Sequence, residues 1–180
     1  MKSSSAICSL LFTLGLVLIS NAFMHAEANK GKGGKSLIEG ICEETLEDKA
    51  NCMRAVGSDS NVLKAKNSLQ LAKAILEIAL KKGIEGQSLL KELAASTNSQ
   101  DLVQCANFDY DEVVLSFRSA LGELKDDAQT ASYDAAVAVD GPVTCNRRLA
   151  GAGIVNPVIS SLNSEIMLFS NIAARATDHL

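Results

Sequence analysis

The chain contains no tryptophan, only two prolines, and aromatic side chains at 4% of its positions. Histidine is nearly as scarce, with His25 near the start and His179 next to the last residue. That shortage excludes most hydrolytic chemistry. There is no HExxH pair to hold zinc, no GxSxG elbow, no phosphate-cradling loop, and no histidine placed to activate a cysteine. Acidic pairs do occur, but on polar helical faces, where a solvated, salt-bridged surface is their ordinary role. No residue is assigned a catalytic or metal-ligating role, no cofactor is expected, and the chain does not read as an enzyme. Two further absences narrow the fold. No stretch alternates apolar and polar residues long enough to form a strand, and no apolar run reaches the ~20 residues that a membrane helix needs.

What the chain has first is an address. Lys2 precedes the apolar run "LLFTLGLVLI" (residues 10–19), and Ala26-Glu27-Ala28 follows as a small-x-small cleavage site. Residues 1–28 therefore read as a signal peptide, cut after Ala28 or, through Met24-His25-Ala26, after Ala26. A secreted protein with no membrane segment in its mature form is expected. Cleavage removes one of 17 basic and one of 21 acidic residues, so the net charge stays at −4. That balance argues against a nucleic-acid partner, which calls for a basic stripe. The 152 residues left of 180 suffice for one domain with a sizeable core. Cys8 leaves with the leader, and Cys42, Cys52, Cys105 and Cys145 remain. An even number in an oxidising compartment reads as two disulfides. Zinc would want C-x(2–4)-C pairs, which are absent.

"NKGKGGKS" (residues 29–36) reads as a disordered leader, being rich in glycine and lysine. From Leu37 onward the apolar spacing is helical. Val62, Ala65, Leu69, Ala72, Leu76, Ala79, Gly83, Gly86, Leu90 and Leu93 alternate by three and four, the spacing of a coiled-coil-like seam. The seam keeps phase across Gly83 and Gly86, which predicts one helix over residues 61–97, about 37 residues and roughly 55 Å long. Two helices with a tight turn at 83–86 are the alternative. Tyr110, Val113, Phe117, Ala120 and Leu124 mark a second helix. Residues 126–140 form a third, kinked or restarted at Gly141-Pro142, because proline lacks an amide donor. After Gly151 and Gly153 a fourth carries Ile159, Leu162, Ile166, Phe169, Ala173 and Ala176. The expected fold is all-α, an up-down-up-down four-helix bundle.

"ICEETLEDKANC" (residues 41–52) is too short and polar for a fifth bundle helix, and residues 37–57 fit a helical hairpin closed by Cys42–Cys52. In the chain-entropy model such a staple contributes ~3 kcal/mol. Cys105, near the start of the second helix, then pairs with Cys145, late in the third, with ~4 kcal/mol for the longer loop.

Several stretches together resemble the plant invertase/pectin methylesterase inhibitor family. They are Cys42–Thr45 with Cys52 following Cys42 after nine intervening residues, "CANFDYDEVVLSFRSALGEL" from Cys105, "AAVAVDGPVTC" ending at Cys145, and the terminal "NSEIMLFSNIAARA". The resemblance covers about residues 37–178 and implies a disulfide-closed hairpin on a four-helix bundle spanning 37–180. It also implies a protein inhibitor docking on a plant carbohydrate-active enzyme in the cell wall or vacuole. Invertase inhibitors of the family present Pro-Lys-Phe between the third and fourth cysteines, where this chain reads "KDDAQTASYD". That tilts the expectation towards pectin methylesterase in the apoplast, with acid invertase as the alternative partner. Thr144, directly before Cys145, matches a threonine common in pectin methylesterase inhibitors, and Asp109, Asp111 and Glu112 offer acid near the start of the second helix. These four are the candidate partner-binding residues. The chain departs from the family pattern twice. Arg147 and Arg148 stand where acid is common, and Tyr110 falls five residues after Cys105 instead of four. A helical bundle holding a small apolar ligand is the remaining alternative, set back by a seam of alanine and glycine that fills its own space.

Overall fold

Short polar side chains set the helix boundaries in the computed structural model, which describes residues 32–45 and 48–180. The helices are α1 (Lys32–Glu44), α2 (Lys49–Val56), α3 (Ser60–Lys64), α4 (Ser68–Thr97), α5 (Gln100–Gln104), α6 (Tyr110–Glu123), α7 (Ala128–Val137), α8 (Asp140–Gly151) and α9 (Pro157–Asp178). A π turn, Cys105–Asp109, joins α5 to α6. Asp59, Asn67, Ser99, Asp127 and Asn156 each accept a hydrogen bond from an amide of the helix that follows, occupying donors the first turn cannot satisfy itself. Pro157, at the first position of α9, loses nothing because its missing amide had no helical partner. At the other ends, Asn98 takes the left-handed conformation (φ 52°) after α4, and Gly153 (φ 68°) turns the chain after α8.

The bundle forms a closed ring in which α4 packs on α6, α6 on α7, α7 on α9, and α9 back on α4. Each helix lies beside its neighbour in sequence, which is the up-down-up-down arrangement. Leu71, Ile75, Leu76, Leu90, Phe117, Ile159, Ile166 and Ile172 fill the space between them. Helices α1 and α2 form the hairpin, closed by Cys42–Cys52 with its Cα atoms 5.5 Å apart. Its buried residues Ile38, Ile41, Cys42, Cys52 and Val56 join the bundle core, since the hairpin has too little apolar surface to bury alone. The second bridge joins Cys105 to Cys145. No helix among the described residues is long and apolar enough to cross a membrane. The signal-peptide segment and residues 29–31 lie outside the described residues.

Two expectations about boundaries need correction. The leader expected over 29–36 is helical from Lys32, and Gly34 lies against the backbone of Leu63, where a side chain would not fit. The long helix begins at Ser68, not Asn61. Asn67 accepts from the amide of Gln70 at 2.9 Å, and Gln70 in turn accepts from the amide of Lys66 at 2.9 Å. This local exchange offers the backbone an alternative to continuing the helix. Val62 and Ala65 still reach the core, but from the separate short helix α3 and its end, and Leu69 is turned outward at 38% exposure. The seam beyond them is continuous: α4 runs unbroken through Gly83 and Gly86, both buried.

Those two glycines differ in the room around them. A Cβ on Gly86 would lie 2.7 Å from Tyr110 Cε1 and 2.8 Å from Leu162 Cδ1, whereas the nearest atom to one on Gly83 is Val113 Cγ1 at 3.2 Å. Gly86→Ala should therefore lose ~1–3 kcal/mol to overpacking, more than the helix-propensity gain of up to ~1 kcal/mol returns. Gly83→Ala should cost distinctly less. Urea denaturation of both variants tests this, and a Gly86→Ala protein as stable as wild type would refute the tight seam.

Candidate functional site

The residues singled out for partner binding converge on the place where the π turn, α6 and α8 meet. Cys105 opens the π turn, and its bridge to Cys145 holds the two Cα atoms 5.0 Å apart. Gly141, one turn earlier in α8, lies against the carbonyl of Asp109, and a Cβ there would meet Val113 Cγ2 at 2.6 Å. Glycine is what lets α8 approach this closely. The glycine read from sequence as part of a helix restart is thus also a contact surface.

The π turn explains the displaced tyrosine. The amide of Tyr110 donates to the carbonyl of Cys105, five residues back, so the turn accommodates one residue more than an α-helical turn would. Tyr110 consequently points inward and is fully buried. Its hydroxyl donates to Asn163 Oδ1 at 2.6 Å, and Asn163 Nδ2 donates to Asn146 Oδ1 at 2.6 Å, linking α6, α9 and α8. Burial, reinforced by the nearby Glu165 carboxylate, pushes the phenol well above the usual tyrosine range, so it remains a donor.

Asp109 is the candidate that the structure moves. It is 5% exposed rather than solvated, and Arg148 holds it: Nε donates to Oδ2 at 3.3 Å and Nη2 to Oδ1 at 3.2 Å. The hydrogen bonds to Asp109, with the charges of Asp109 and Asp101, raise the guanidinium pKa further while burial opposes them. Asp109 is therefore occupied within the chain, because the π turn rotates it under α8. Arg148 is the residue that sequence reasoning missed. It registered only as a departure from the family's usual acid, and a partner 39 residues away leaves no local signal. Asp111 and Glu112 are exposed, as expected, and Thr144 is half-buried. Gln87 of α4 donates to the Ala106 carbonyl at 3.0 Å and to Asp111 Oδ1 at 3.4 Å, tying the π turn to a third element.

Cys105, Asp109 and Cys145 bring three ligand atoms within 4.8 Å of one another. They offer no thiolate, since both sulfurs are spent in the bridge and the carboxylate is paired with Arg148. Among the described residues no buried side-chain nitrogen or oxygen lacks a hydrogen-bond partner, so the interior presents no polar handle for a ligand. A groove of about 770 Å³ is an open surface feature between α2 and the α4–α9 face, lined by Asn51, Arg54, Ser164 and the Lys82–Glu165 pair.

The family model for plant invertase/pectin methylesterase inhibitors matches this chain over residues 36–175. The chain belongs to that family. Among solved structures, a mutant form of a pectin methylesterase inhibitor from Arabidopsis aligns with a TM-score of 0.58. The alignment takes in 78% of this chain and 94% of that one at 19% identity, a likeness of fold. No curated protein matches the chain at a comparable level. Members of the family are inhibitors rather than enzymes.

The clamp can be tested directly. Arg148→Ala leaves Asp109 buried beside the bridge without its cation and should cost ~1–3 kcal/mol. Adding Asp109→Asn should recover part of that loss, because the neutral amide tolerates the site better. A double-mutant cycle by chemical denaturation that shows no coupling would mean the pair contributes nothing.

Proposed function

We propose that this chain is a secreted inhibitor of pectin methylesterase, acting in the cell wall by 1:1 complex formation. The surface around the Cys105–Cys145 bridge would lie over the enzyme's pectin-binding cleft and exclude the polymer, with no bond made or broken by the inhibitor. Membership of the inhibitor family supports the class, and the absence of Pro-Lys-Phe favours pectin methylesterase over acid invertase. The observation that carries the choice of surface is the locked junction itself. A disulfide, a bidentate ion pair and a glycine-mediated approach hold α8 against the π turn that leads into α6. Thr144, Asp111 and Glu112 sit on that frame. A surface already ordered before contact avoids the entropy of ordering it on association. An interface of standard size would bury ~1,600 Å² in total.

The alternative of a bundle that holds a small apolar ligand has less support, since Gly83 and Gly86 are already filled against Val113 and Tyr110. Assaying the purified chain against a plant pectin methylesterase and, separately, an acid invertase tests the target. We expect inhibition of the first and none of the second, and the reverse result would change the target. On the surface itself, Thr144→Trp should weaken inhibition at least tenfold, ~1.4 kcal/mol, with an unchanged thermal midpoint. Glu112→Lys should slow association more than it speeds dissociation, and added salt should shrink that effect.

A further inference from the structure

Five aromatic side chains follow residue 28, and the fold buries three of them completely: Tyr110, Phe117 and Phe169. Tyr133 and Phe108 stay outside, at 68% and 62% exposure. Tyr133 carries a hydroxyl that water can satisfy. Phe108 has none, so its ring gains nothing from solvent, and its position is unusual in a second way. It lies inside the π turn, between residues that are each tied down. Cys105 is bridged to Cys145, the Ala106 carbonyl accepts from Gln87, Asp109 is gripped by Arg148, and Tyr110 is bonded to Asn163. The backbone that carries Phe108 is fixed on both sides while the ring projects outward. Beyond it in α6, Glu112 four residues later and Leu115, at 52% exposure, three after that are exposed as well. Two apolar groups thus flank an acid.

We propose that Phe108 is the apolar anchor of the partner-binding surface, inserted into an apolar recess beside a cationic group at the rim of the target enzyme's cleft. The inference rests on the functional reading above and adds a residue that sequence comparison had no reason to single out. Anchors of protein interfaces are typically aromatic, centrally placed and preorganised, with the neighbouring contacts excluding water. An aromatic ring has only two side-chain torsions to freeze, and here the backbone has already been frozen by the fold. The cation would answer Glu112 and Asp111. The extra residue in the π turn is what turns Phe108 outward and Tyr110 inward. This anchor is therefore a property of this chain's own spacing between Cys105 and Tyr110.

The test is a binding measurement on the whole secreted chain, with pectin methylesterase and acid invertase as separate immobilised partners. Phe108→Ala should raise Kd at least ~30-fold, chiefly through faster dissociation, with unchanged helicity and thermal midpoint. Phe108→Leu should fall between alanine and wild type. If Phe108→Ala binds like wild type while Thr144→Trp and Glu112→Lys still weaken binding, the surface stands and the anchor is wrong. A fall in thermal midpoint that accounts for the lost binding would place Phe108 in the fold instead and overturn the proposal. If the wild-type chain binds neither enzyme, the functional reading fails and the anchor fails with it.

Discussion

The close seating of α8 against the π turn is the constraint on which the rest of the molecule depends. It is made by a buried disulfide between residues 105 and 145, a glycine that brings α8 onto the Asp109 carbonyl, and an ion pair across the same gap. Each part alone leaves α8 some freedom. A disulfide restricts separation but not orientation, a glycine allows approach but does not enforce it, and a partly buried ion pair fixes only the two side chains that make it. Together they leave α8 one position. Because α8 continues the path of α7, and α7 packs between α6 and α9, that position also fixes one corner of the bundle.

Small residues on α4 do the corresponding work on the opposite wall. Gly83 faces Val113 and Phe117, and Gly86 faces Tyr110 and Leu162, so the two glycines spend helix propensity on close approach to α6 and α9. Tyr110 connects this wall to the α8 seat, since its ring covers Gly86 while its hydroxyl reaches Asn163 and, through it, Asn146. Packing and hydrogen bonding thus converge on one side chain, whose inward orientation is set by the π turn. That rigidity suits a protein that inhibits by binding. Its affinity depends on surface complementarity, and every degree of freedom left open in the free protein must be closed on binding.

The arginine that broke the family pattern has an internal role. Arg148 neutralises an aspartate that would otherwise be a buried charge, and so removes one acid from the solvent-facing surface. Arg147, beside it, remains exposed. The exposed acid at the junction is therefore Asp111 and Glu112 rather than the whole acidic cluster seen in the sequence.

The sequence by itself determined the helical class, the four bundle helices and both disulfides. Each rests on a repeating or discrete signal: apolar residues at spacings of three and four, and an even set of cysteines at 42, 52, 105 and 145. Phase kept across Gly83 and Gly86 favoured one continuous helix there over two, and the structure has one. The same seam misled at its start, because a repeat records which residues are apolar and not whether Asn67 will cap a new helix in competition with it. Only the tertiary structure decided what Asp109 does, where Tyr110 points and why Phe108 is exposed. Those outcomes depend on groups 39 residues apart in sequence and on one extra residue held in a π turn. Local pattern carries no information about a contact whose other half lies in a different helix.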